Sequence, residues 1–140
     1  MVTGVTVIGL VQVFHYSGPA NPMLAQTYLE GGIAILIAWS VSLIFIAPLS
    51  EELICRGFIL PALSRKLGVA PAVVLAAALF LLAHLPQIDG YWVAALGIFS
   101  LGIVAGVMRV RTGSLFGAIA VHAGYNAAPI THMLWAQFVS

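Results

Sequence analysis

Two glutamates and an arginine stand together in an apolar run. Glu51, Glu52 and Arg56 lie between Pro48 and Gly57, with apolar sequence on both sides. Ionised groups inside a bilayer are costly, so an intramembrane Glu-Glu-x-x-x-Arg is by default a functional group of residues. Glu52 and Arg56 are one helical turn apart and can form an ion pair. Glu51 points about 100° away from them and has no partner on its own helix. Such a carboxylate is available to take a proton from water as a general base; the plain alternative is a charge cluster snorkelling at a membrane edge. Downstream, His84 follows Phe80 by one turn, and Asn126 follows His122 by one turn. His84 could orient a water or stabilise developing charge; as a plain structural residue it fills or caps a helix end before Pro86. His122 and Asn126 share one face, and the small residues Ala123 and Gly124 beside them permit close helix packing. They could donate to an oxyanion in amide hydrolysis, or simply make an interhelical hydrogen bond. The three segments together read as one buried hydrolytic site.

A metal is the rival use of these atoms. Glu51, His84 and His122 are a ligand set that could hold zinc and leave a water position. There is no His-Glu-x-x-His, so the zincin signature is absent. No metal is assigned, and the hydrolytic reading requires no cofactor, with a divalent metal such as zinc as the alternative. His15, His132, Cys55, Asp89 and Arg109 are read as structural. Cys55 is the only cysteine, which excludes an internal disulfide and a cysteine-cluster metal site.

The elements that must position these residues follow from composition. Of 140 residues 62% are hydrophobic and only 6% charged, against about a quarter charged in an ordinary soluble domain. The apolar runs are continuous rather than alternating, which selects membrane helices over a barrel. Net charge is +1, which leaves no basic surface for nucleic acid. The chain reads as a single all-α domain over 1–140, a polytopic transmembrane bundle of about five to six helices. Helices are expected over about 2–16, from near 26 or 33 to 49, over 50–66, 71–85, 91–109 and 115–138. Pro48 kinks or breaks the junction at 49–50, where Ser50 could cap a new helix. Segments 31–49 and 50–66 are thus either one broken helix or two spans.

If 31–66 crosses once, Arg65, Lys66, Arg109 and Arg111 lie on one side and Glu30 and Asp89 on the other. Positive residues collect on the cytoplasmic side, so the loops near 68 and 113 are expected there, in a multi-pass protein of a prokaryotic plasma membrane. Counted from those ends, Glu51 lies roughly 22 Å deep, His84 about 21 Å, His122 about 14 Å and Asn126 about 20 Å. Rare polar side chains from three segments therefore meet at a similar depth.

Glu51-Glu52-x-x-x-Arg56, Phe80-x-x-x-His84 and His122-x-x-x-Asn126 together resemble the three motifs of the CPBP intramembrane protease (ABI) family. That family includes the type II CAAX prenyl endopeptidases and bacterial relatives named as immunity proteins. Thr112-Gly113-Ser114-Leu115 also fits the lead-in to its last helix, and the match covers about residues 40–130. The resemblance implies an intramembrane endopeptidase in which Glu51 activates water, His84 helps to position it, and His122 and Asn126 stabilise the oxyanion. Glu52 and Arg56 would support or line the site. The implied partners are membrane lipid and a peptide or lipidated peptide substrate, in CAAX-type or propeptide processing, with an oligomer as a further possibility. Cys55 stands where the family usually has an aromatic residue. The chain is also short at its N-terminus against that pattern, so N-terminal helices of longer relatives would be lacking. The alternative function is a non-catalytic membrane protein of the same fold, such as a bacteriocin self-immunity or scaffold subunit. A proton pathway is a third use of buried Glu and His, but these residues cluster at one depth instead of forming a ladder.

Overall fold

The structure, a computed structural model, describes residues 34, 35, 37–88 and 92–139. Within them the chain forms four helices: α1 over 37–67, α2 (Val69–Ile88), α3 (Trp92–Thr112) and α4 (Leu115–Val139). This is fewer than the five to six expected. The helix expected over 2–16 lies outside the described residues, as do Glu30 and Asp89. The remaining difference is that the segments on either side of residue 50 form one rod.

Pro48 does not break that rod. A proline removes one backbone donor and crowds the carbonyl a turn before it. Here the helix widens to π geometry over Ser42–Ile46, and Ala47 N–H donates back five residues to Ser42 O. The same device recurs before Pro61: π geometry over Leu53–Ile59, closed by Leu60 N–H to Cys55 O. Each widened turn stands immediately ahead of a proline and accommodates its ring. Single π turns of this kind are frequent at functional sites, and the Glu51–Glu52 pair lies between these two. Ser50 does not cap a new helix. Its Oγ donates within the rod, 3.0 Å from both Ile46 O and Ala47 O.

The buried stripe of α1 is Pro48, Glu52, Cys55, Arg56 and Leu60, spaced at three and four residues. The opposite face presents Phe45, Leu49, Ile54 and Phe58 outward. Exposed aromatics of this kind would be costly in water but are solvated by lipid chains. α2 and α3 are both long and apolar enough to cross a membrane. They pack through small residues, as membrane helices do when dispersion and close approach hold them together. Ala72, Ala76, Ala77 and Ala105 are buried there. A Cβ on Gly102 would stand 2.9 Å from Ala77 Cβ, and one on Gly106 would stand 3.0 Å from Val73 Cγ1. Any side chain at Gly102 therefore forces the two helices apart.

One residue, Gly68, joins α1 to α2, and two, Gly113 and Ser114, join α3 to α4. Gly68, at φ +81°, and Gly113, at φ +67°, take the left-handed conformation that glycine tolerates. Ser114 Oγ accepts from Phe116 N–H at 3.1 Å and caps α4, as its position predicts. α2 continues through Pro86 to Ile88, three residues beyond the expected end.

Candidate active site

The inner stripe of α1 carries the charges into the bundle. Glu52 and Arg56 are fully buried and paired, Arg56 Nη1 to Glu52 Oε1 at 3.0 Å. A buried ion pair needs further hydrogen bonds to offset its desolvation. Arg56 Nη2 finds one in Gly102 O at 2.8 Å, and the guanidinium lies 4.9 Å from the centre of the Phe80 ring, a cation–π contact. The bare glycine at 102 lets α3 approach α2 closely, and its carbonyl is the one Arg56 uses. Neither Gly102 nor the role of Phe80 was apparent in the sequence. The sequence marks Phe80 only by its place one turn before His84, in the second of the three motifs, and not as a partner of Arg56.

His122 reaches the pair from α4. Its Nδ1 lies 2.8 Å from Glu52 Oε1, and its side chain is only 3% exposed. Glu52 Oε1 already accepts from Arg56, so the imidazole is the donor in this contact. His84, on α2, holds its Nδ1 2.8 Å from Phe80 O. A carbonyl only accepts, so here too Nδ1 carries the hydrogen. Phe80 stands between the two imidazoles, with ring centres at 4.4 Å from His84 and 5.5 Å from His122.

Both imidazoles therefore turn Nε2 the other way, and both meet Glu51. Glu51 Oε2 is 3.5 Å from His84 Nε2 and 3.7 Å from His122 Nε2. The Glu51 side chain is 34% exposed, yet Oε2 itself is buried and has no hydrogen-bond partner. Neutral His84 and His122, with Nδ1 committed, present lone pairs at Nε2. Three acceptor atoms thus face one another across gaps slightly too wide for good direct bonds. This changes the donor role expected of His122: through Nε2 it can donate only as an imidazolium.

Asn126 is positioned differently. Its Nδ2 donates to Leu43 O at 2.9 Å, and no hydrogen bond joins it to Glu51, His84 or His122. The reason lies in the first π turn. Ala47 N–H goes to Ser42 O, and the next donor in sequence would be that of Pro48, which has none. Leu43 O is left over, and the amide of α4 takes it. One N–H of Asn126 ties α4 to α1, and the second remains for a ligand.

The atoms proposed as zinc ligands do converge, and each imidazole is anchored through Nδ1 as metal-bound histidines usually are. Among the described residues, however, no three His, Cys, Asp or Glu side chains are disposed to hold one ion.

Cys55, the neighbour of Arg56, is buried against Phe80 and Leu101.

Comparison with known proteins agrees with the three motifs. No curated protein and no solved structure matches the chain. The family model described as "Type II CAAX prenyl endopeptidase Rce1-like" matches residues 33–128, a span that holds every side chain of the cluster. By that match the chain belongs to the Rce1-like family of type II CAAX prenyl endopeptidases, a family of membrane-embedded proteases.

Proposed function

We propose that the chain is an intramembrane endopeptidase in which Glu51 activates a water for attack on a peptide carbonyl. The observation that carries the reading is the orphaned Glu51 Oε2 between two imidazole Nε2 atoms. A water in that gap donates one hydrogen to Glu51 and the other to an imidazole, and its oxygen lone pair faces outward. Attack forms the C–O bond and passes the water proton to Glu51. Collapse of the tetrahedral adduct breaks the C–N bond, and Glu51 returns that proton to the leaving amine. The free N–H of Asn126 is the candidate donor to the oxyanion. His122 joins it only when protonated. Glu52 and Arg56 hold His122 in its tautomer and do not meet the substrate.

The substrate is a peptide segment that reaches the site through lipid, such as a prenylated C-terminus or a membrane-bound propeptide. Incubating purified protein in detergent with a prenylated peptide and identifying the fragments by mass spectrometry tests this directly. The mechanism uses no metal. Turnover is expected to be unchanged after treatment with a strong chelator and dialysis. A loss that added zinc restores would transfer the three lone pairs to a metal and overturn the water-only mechanism.

The turns at Gly68 and Gly113 face the cytoplasm in this reading, the side on which basic residues collect. A cysteine placed at Gly113 in a Cys55→Ser background should resist a membrane-impermeant thiol reagent in intact cells and react after permeabilisation. Labelling from outside would reverse the topology.

A further inference from the structure

The charge balance of the chain is uneven in space. Glu51 and Glu52 are the only acidic side chains among the described residues, and both belong to the polar cluster. Arg56 is matched there. Arg65 and Lys66 at the end of α1, and Arg109 and Arg111 at the end of α3, make no ion pair with any described carboxylate. Four cations therefore stand at the ends of α1 and α3 with no counter-charge among the described residues.

A cavity of about 170 Å³ opens between these ends, lined by Leu60, Pro61 and Ser64 of α1, Arg109 and Val110 of α3, and Gly113 of the turn. At about 30 Å³ per water molecule it has room for a polyatomic group. Arg109 Nε is buried and has no hydrogen-bond partner. The side chain of the turn does not supply an acceptor: Thr112 Oγ1 donates to Met108 O at 2.8 Å and accepts from Ser114 N–H at 3.2 Å. An unmatched guanidinium in a partly enclosed pocket favours a planar, bidentate acceptor such as a phosphate or carboxylate. Beside Arg109 the cleft is half apolar, through Leu60, Pro61 and Val110, and Leu67, Val69 and Phe116 near it are exposed. A freely dissolved anion has no use for that rim. A headgroup joined to acyl chains does, because cationic clefts between helix ends at a membrane face match phosphate below and hydrocarbon beside it.

We propose that this cleft binds the phosphate of an anionic phospholipid, with Arg109 as its principal donor and Arg65, Lys66 and Arg111 as a surrounding positive field. The site is separate from the peptidase cluster, and the proposal does not depend on catalysis.

The test uses the full chain in a neutral detergent, with thermal unfolding as the readout. Short-chain phosphatidylglycerol should raise the melting temperature in a saturable way, and short-chain phosphatidylcholine should not. Arg109→Gln should require about tenfold more phosphatidylglycerol for the half-maximal shift, the loss expected for a charge-assisted hydrogen-bond pair. Arg65→Gln, which keeps the cleft, should change it little. Ser64→Leu fills the cleft and leaves every charge in place, so it should lose the shift even if Arg109→Gln cannot be purified. Equal responses of the wild type and Ser64→Leu would overturn the site, as would the absence of any shift with phosphatidylglycerol. A shift of the same size with inorganic phosphate alone would overturn the lipid as its source.

Discussion

Glu51→Gln is expected to abolish peptide cleavage and leave the fold untouched. Loss of a general base costs about 10²–10⁴ in rate, and a drop of roughly a thousandfold in turnover is expected here. The glutamine amide has nearly the shape of the carboxylate but cannot accept a proton from water or hand one to the leaving amine. Little structure rests on this side chain: Oε2 has no hydrogen-bond partner, its contacts with the two imidazoles are long at 3.5 and 3.7 Å, and a third of the side chain is exposed. The new amide can even donate to an imidazole Nε2, so the melting temperature should hold or rise. Cleavage of a prenylated peptide and thermal unfolding, measured on the same preparation, check both halves. Full activity in Glu51→Gln would remove the base from the mechanism. A wild type that cleaves no prenylated or propeptide substrate, yet folds and confers immunity regardless of Glu51, would favour the non-catalytic reading.

The comparison of sequence with structure is informative because the two kinds of success differ. Helix positions were legible from apolar length and from turn residues: α2, α3 and α4 each begin within two residues of the expected start. Gly68, Gly113 and Ser114 mark their joints because backbone conformation at those points depends on residue type. The meeting of Glu51 with His84 and His122 was legible only as depth along separate helices. Which atoms meet was not. A spacing of four residues says that His122 and Asn126 share a face, but not that His122 Nδ1 turns to Glu52 while Asn126 turns to Leu43. The choice made by Asn126 follows from a proline acting on α1. Pro48 looked like a break because a proline inside a straight α-helix removes a bond. A widened turn ahead of it lets the rod continue, and the carbonyl it frees is the one Asn126 binds. The π geometry before Pro61 has no local sequence mark beyond the proline itself.

Arg56→Ala should be the most damaging single change to stability. Breaking a buried ion pair from one side costs about 3–5 kcal/mol, because the remaining charge has no water to return to. Arg56 is wholly buried and serves three partners: the Glu52 carboxylate, Gly102 O and the Phe80 ring. Its loss would leave Glu52 with His122 alone, the carbonyl of α3 without that donor, and a cavity where α1, α2 and α3 meet. The same reasoning predicts a partial rescue. Pairing Glu52→Gln with Arg56→Met removes both charges together, and replacing a buried pair with uncharged residues is often neutral or stabilising. The double variant should therefore melt well above Arg56→Ala. It should nevertheless stay poorly active, since the amide of Gln no longer offers the charged acceptor that holds His122 Nδ1–H and directs Nε2 toward Glu51. Thermal unfolding in detergent beside peptide cleavage separates the two effects. If Arg56→Ala melts with the wild type, the pair is not what holds the helices together. If the double variant regains full turnover, the Glu52–His122 contact has no part in the chemistry.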